Sequence, residues 1–264
     1  MSGLSFFLIV ICTRSNHHIS YAKKFFKKSK YIFIEKPLSN NLNEAIKFYK
    51  FYKLSKNKPQ IKIGYNLRFL KSLIKFKYLV NKKVLGKIFY INCYVGKSIE
   101  FWRNGDLNIA ATKKNGGGAL FELSHEIDYL KWIFGDLKLK YSYINLIKKF
   151  NFNVDQSVFA LFLCKKKRLN NLPINLTMDI ISVDPKRFCE VICEKGNISI
   201  DMVSNQIILT ERTKKKKIIF SKKDLEESYV EQFKYFLKSS KQNSISDIRN
   251  SAEIIKLIDQ IKKK

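Results

Sequence analysis

The chain has 264 residues and a formal net charge of +29, from 51 Lys and Arg against 22 Asp and Glu. Hydrophobic residues make up 45%, which excludes a disordered charged tail and leaves material for one large domain or two modest ones. No run approaches the roughly 18 apolar residues of a membrane span, and five scattered cysteines exclude a secreted disulfide scaffold, so a reduced, cytoplasmic protein is expected.

Phe6 to Cys12 is an unbroken apolar run, rich in β-branched and aromatic residues, and predicts a strand buried on both faces. Ile19, Ala22, Phe25 and Phe26 follow at helical spacing over Ile19 to Lys28. Tyr31 to Ile34 is a second buried strand, Leu42 to Leu54 a second helix, and Ile61 to Tyr65 a third strand. This alternation is half of a doubly wound α/β sheet. Ligands of such sheets bind beyond the carboxyl ends of the strands. Polar groups stand at all three ends: Thr13 to His18, Glu35-Lys36-Pro37, and Tyr65-Asn66-Leu67-Arg68.

From Phe69 the pattern changes. Phe69 to Asn81 predicts a helix, Val84 to Lys87 a turn and Ile88 to Val95 a strand. Residues 103–115 are polar and small and predict a loop. A helix is expected over Ala119 to Phe134, after the turn Gly116-Gly117-Gly118; it carries His125 and Asp128 on one face. Strand-like runs follow at Lys140 to Ile147, Ser157 to Cys164, Ile174 to Val183, Phe188 to Cys193, Ile198 to Met202 and Gln206 to Thr210. Glu194 to Asn197 reads as a hairpin turn. The lysine runs Lys165 to Lys167 and Lys214 to Lys217 are assigned to turns. Helices over Lys223 to Leu237 and Ile245 to Ile261 close the chain, the last capped by Ser246-Asp247. The expected fold class is α/β plus α+β: a partial Rossmann-like parallel sheet over residues 1–66, then a mostly antiparallel sheet domain with flanking helices over residues 67–264.

The charge invites a nucleic-acid partner, but only seven of the basic residues are Arg and 44 are Lys. Readers of nucleic acid lean on Arg for bidentate contacts. The Lys travels with Asn, Ile, Phe and Tyr, which marks compositional drift of the kind an A+T-rich genome produces. A weak, general attraction for polyanions is expected, with no specific nucleic acid and no membrane partner. No metal site is expected either. Cys189 and Cys193 share a strand face with no other Cys/His pair beside them, and adjacent His17 and His18 cannot chelate as a helical pair would.

Glu35-Lys36-Pro37 after a buried strand resembles the "EKP" motif of the Gfo/Idh/MocA (glucose–fructose oxidoreductase / inositol dehydrogenase) family. Thr13-Arg14-Ser15-Asn16-His17-His18 resembles that family's T-P-x-x-x-H, with Arg14 in place of Pro. The turn Gly116 to Gly118, then His125-x-x-Asp128 and Trp132-x-x-Gly135, resembles its third landmark. The resemblance covers nearly the whole chain. It implies oxidation or reduction of a secondary alcohol on a sugar, nucleotide-sugar or cyclitol, with NAD or NADP. The wording around His125 looks like members associated with surface polysaccharide metabolism.

By this resemblance Lys36, His125 and Asp128 are the catalytic residues. Thr13, Asn16, His18, Glu35, Lys36 and Pro37 would bind cofactor; Asn66, Arg68, Trp102, Arg103 and Glu122 would bind substrate, with Tyr65 beside them. A desolvated Lys36 would hydrogen-bond the reacting oxygen, and His125 would accept its proton. A homo-oligomer through the antiparallel sheet is expected. The sequence departs from the family in two ways. Phe121 stands where many members have Asp, which leaves Glu122 as a stand-in. No Gly-x-Gly-x-x-Gly occurs among the ten glycines, so the chain reads as beginning at the family's fourth strand, with half of the cofactor site outside it. The alternative is a truncated, inactive relative that serves as a binding or assembly protein.

Overall fold

A computed structural model describes residues 4–101, 112–147, 153–165, 171–239 and 241–263. Three parallel strands, β1 (Phe6–Ile11), β2 (Ser29–Ile34) and β3 (Gln60–Ile63), lie side by side in that order. The helices α1 (His18–Phe25) and α2 (Leu42–Leu54) make the crossovers. A short 3-10 turn, Asn66–Phe69, leads to α3 (Lys71–Asn81) and β4 (Ile88–Gly96). Then come α4 (Ala119–Glu122), α5 (His125–Phe134), β5 (Asp136–Asn145), β6 (Ser157–Lys165), β7 (Leu172–Asp179) and β8 (Lys186–Cys193). The chain continues with β9 (Gly196–Asp201), β10 (Gln206–Glu211), β11 (Lys215–Ile219), α6 (Asp224–Lys238) and α7 (Lys241–Lys262).

The second sheet has eight strands in the order β11-β10-β9-β8-β4-β7-β6-β5. Every neighbouring pair is antiparallel except β4 and β7. Alternation builds its inner face: Val158, Ala160, Phe162 and Cys164 of β6 are all buried. The parallel sheet behaves differently. All of Tyr31 to Ile34 is buried, with Ile32 and Ile34 in the main core and Tyr31 and Phe33 against Phe233 and Phe236 of α6. α2 starts on an Asn41 cap that accepts from Glu44 N at 3.1 Å and buries Ala45, Phe48 and Tyr52 at helical spacing. α7 packs on α2 and β3 and reaches β5, so it ties the two sheets together. Among the described residues no helix is long and apolar enough to cross a membrane.

Four expectations need correction. β1 is not covered on both faces: it is the outer strand, with Phe7 64% and Val10 49% exposed and only Ile11 buried. The helix expected over Ala119 to Phe134 is broken at Leu123-Ser124: Leu123 closes α4 with a bond from its N to Ala119 O at 2.9 Å and leaves the helical backbone at φ −103°, ψ 24°. Lys215 to Lys217 form a strand rather than a turn. They pair with Thr210 to Ile208 at the sheet edge, where exposed lysines are well tolerated. Finally, Ser246-Asp247 lies inside α7, which begins at Lys241, rather than capping it, and Asp247 instead pairs with Lys62 Nζ of β3 at 2.8 Å.

Candidate active site

Two strand-end turns and the glycine turn meet beyond the carboxyl ends of β1 and β2. They enclose a cleft of about 420 Å³ walled by Thr13, Arg14, Ser15, Lys36, Gly116 and Glu122, among others. Gly116 makes the meeting possible. Its φ of +80° suits glycine, and a Cβ there would collide with Ser15 Oγ. Ser15 Oγ donates to Asn115 O at 3.3 Å, and Arg14 NH1 reaches Asn115 Oδ1 at 3.4 Å. Gly118, at φ +100°, leaves room for the Asp155 carboxylate, which accepts from Leu120 N at 2.7 Å. The glycine turn therefore packs chain against chain and shapes the cleft wall.

Lys36 lies at the centre, next to a cis Lys36–Pro37 peptide. Its half-buried ammonium donates to the Glu122 carbonyl at 2.6 Å. Burial lowers its proton affinity, while the carboxylates of Glu122 and Glu35 oppose that shift. Burial raises the Glu35 carboxyl in turn, and its Oε2 accepts from Lys36 N at 3.2 Å. His125 opens α5. Its Nδ1 is enclosed and has no hydrogen-bond partner, and its ring stands edge-on to Tyr65 at 5.7 Å. Burial, then the positive charges of Lys36 and Arg187, hold its proton affinity well below the ordinary imidazole range. A neutral imidazole with an enclosed, unpartnered nitrogen thus lies within the field of the Lys36 ammonium, outside the cleft walls. That combination can move a proton at an alcohol oxygen.

The other residues singled out by sequence divide into three groups. Thr13, His18, Glu35, Pro37 and Glu122 line the cleft. His18 is buried, with Nδ1 2.8 Å from Pro37 O and Nε2 2.8 Å from Thr13 O, so its ring is wedged between two backbone carbonyls and donates to one of them when neutral. Asn16 keeps an enclosed Oδ1 with no partner, outside the cleft walls. A second group holds helices in place. Asn66 Nδ2 donates to Ser228 Oγ of α6 at 3.0 Å. Arg68 grips buried Asp128 through two bonds of 2.8 and 2.6 Å, which occupy both carboxylate oxygens. Trp102 and Arg103 lie outside the described residues.

Sequence reasoning missed Glu126 and Arg187. Glu126 is fully buried in the first turn of α5, and Arg187 of β8 holds it through bonds of 2.7 and 3.2 Å. The scarcity of Arg carried the signal. With only seven Arg against 44 Lys, each Arg merited a search for a bidentate acid partner.

A family model described as "Oxidoreductase family, NAD-binding Rossmann fold" matches residues 6–62, and one described as "GFO/IDH/MocA C-terminal domain" matches residues 73–199. The chain belongs to the Gfo/Idh/MocA family. An uncharacterized oxidoreductase of Synechocystis sp. is 30% identical over 121 residues, covering 45% of this chain and 32% of that relative. Oxidoreductase P35 of Formosa agariphila is 26% identical over 215 residues, covering 77% and 62%. The chain thus spans less than two thirds of the length of either curated relative. An inositol dehydrogenase homolog from Azotobacter vinelandii, solved with NAD+, shares the fold. Its TM-score is 0.78 at 10% identity, covering 96% of this chain and 74% of the other. The family's NAD-binding domain therefore corresponds to β1 through β3, and its second domain to the region from α3 into β9.

Proposed function

We propose that this Gfo/Idh/MocA chain acts as an NAD(P)-dependent oxidoreductase on a secondary alcohol of a sugar, nucleotide-sugar or cyclitol. The unpartnered imidazole nitrogen of His125, held neutral by burial and the Lys36 and Arg187 charges, carries this reading. The cleft suits one end of a dinucleotide by its donor set: the hydroxyls of Thr13 and Ser15, the Arg14 guanidinium and the Lys36 ammonium. Those residues would hold the nicotinamide and its ribose and phosphate. When bound, the nicotinamide supplies a carrier that exchanges hydride with the substrate carbon. Lys36 keeps one N–H on Glu122 O, which aims the ammonium, and offers its remaining donors to the reacting oxygen. His125 takes the hydroxyl proton during oxidation and returns it during reduction. Asp128 orients the helix that carries His125 through its fork with Arg68.

The test is to incubate the chain with NAD+ or NADP+ and a panel of hexoses, nucleotide-sugars and inositols. Reduced nicotinamide is followed by its fluorescence. At least one alcohol should yield reduced nicotinamide. Absence of both nicotinamide binding and reduction across the panel contradicts the proposal.

A further inference from the structure

His18 has no part in the chemistry above. It opens α1, is buried, and spans two of the turns that wall the cleft. Its Nδ1 lies 2.8 Å from the carbonyl oxygen of Pro37, beyond β2, and its Nε2 lies 2.8 Å from that of Thr13, beyond β1. Both neighbours are acceptors. A neutral imidazole has one N–H and one lone pair, so it satisfies one carbonyl and sets its lone pair against the other. An imidazolium donates to both. Among the described residues no backbone N–H bonds either carbonyl, which leaves the ring to tie them. Burial opposes the proton most, the two carbonyls favour it, and the charges of His17 on the same helix and Lys36 beyond β2 oppose it. The other ionisable walls of the cleft are Cys12 and Arg14 beyond β1, Glu35 beyond β2 and Glu122 of α4, while Glu44 at the start of α2 is bound to Ser39. The balance holds His18 below the ordinary imidazole value, so it takes its proton in acid solution.

We propose that His18 is a proton-operated latch between these two turns and a positioning residue for the cleft. Neutral, the ring holds one turn; protonated, it holds both. The turn after β1 carries the Thr13 and Ser15 hydroxyls and the Arg14 guanidinium, and the turn after β2 carries the Lys36 ammonium. The latch therefore sets the spacing of the groups assigned to the nicotinamide. The latch itself stands on the two carbonyl contacts; its effect on binding rests on the cofactor reading above.

The experiment reads both carbonyls in the whole chain. Thr13-Arg14 and Pro37-Leu38 each occur once in the sequence, so ¹³C-carbonyl labelling of Thr and Pro with ¹⁵N labelling of Arg and Leu gives each carbonyl its own NMR signal. ¹⁵N-histidine labelling follows the ring, with His17→Gln and His125→Gln supplying the assignment. At neutral pH one ring nitrogen of His18 should be protonated and one bare. On acidification the carbonyl that lacks a donor should move downfield with the midpoint of His18, below about 6.5. In His18→Asn neither carbonyl should show that step. A ring that titrates while the second carbonyl stays still overturns the proposal, and so does a ring that stays neutral to the acid limit of the fold. If His18→Asn does not fold, the wild-type titration decides alone.

The second readout is the affinity for reduced nicotinamide dinucleotide, followed by its fluorescence. The ratio of the His18→Asn dissociation constant to that of the wild type cancels the titration of Glu35 and the other shared walls. It should rise by about threefold to tenfold from neutral pH to below the midpoint, the worth of one hydrogen bond. A flat ratio in a chain that binds nicotinamide overturns the positioning role. Coupled carbonyl shifts in a chain that binds no nicotinamide keep the latch and remove the cofactor reading. Binding without the shifts does the reverse.

Discussion

Arg68 and Arg187 each hold a buried acid of α5 by two hydrogen bonds, and a lysine could supply only a point charge at either place. Arg68→Ala would leave Asp128 uncompensated and should cost about 3–5 kcal/mol in urea unfolding; a loss under about 1 kcal/mol would show that the pair carries nothing. His125 gives a pH dependence with a defined sign. The unfolded chain binds its proton near the usual value of about 6.5, and the folded chain resists it. Its contribution is thus fully present above that value and is lost as pH falls toward the folded midpoint. Urea midpoints should decline from neutral pH to mildly acid pH, and His125→Gln should flatten the decline; an identical slope in the variant would contradict this. At this scale motif wording singled out Lys36, which the fold sets in the cleft wall, and His125, which it sets at the start of α5. Glu126 was not legible, because a buried Glu beside a His looks like an ordinary solvated helix residue until its partner, distant in sequence, is placed.

The elements were legible wherever apolar periodicity decides structure, as in α2, β2 and β6. They were misread where apolar spacing carries no signal. The break between α4 and α5 is invisible in the spacing of Ala119, Leu120, Phe121, Leu123, Ile127 and Leu130, which are buried on both sides of it. Asp155 caps the start of α4 through Leu120 N and pairs with Lys262 Nζ at 3.2 Å. Asp155→Ala should therefore destabilise by about 1–2 kcal/mol, the usual cost of a lost cap. Gly118→Ala should do at least as much harm, because its Cβ would press on the Asp155 carboxylate at 2.6 Å from a left-handed backbone. Thermal melts of both variants check this, and unchanged melting would mean that the carboxylate is not the anchor. β11 shows the other kind of miss: a lysine run has no apolar signature, so only its pairing with β10 reveals a strand.

For the whole molecule, the net charge of +29 says most through what it spared. Exposed lysines decorate helices and the sheet edge, while the two forked arginines hold buried acids of the helix that carries His125. The charge itself should give only salt-labile adsorption to polyanions such as heparin, abolished by moderate salt. On the large sheet Tyr143 of β5 and Phe159 of β6 stand opposite each other, 54% and 43% exposed among the described residues. We propose that a second copy covers them. Light scattering should show a dimer at micromolar concentration, and Tyr143→Glu with Phe159→Glu should yield a folded monomer; a monomeric wild type would refute the assembly. The central claim, that Lys36 and His125 handle the proton of a nicotinamide-linked alcohol oxidation, is tested most directly by single-turnover hydride transfer. Lys36→Ala and His125→Ala should each slow it by about 10²–10⁴-fold with the fold intact, whereas an unchanged rate in either variant would contradict the account.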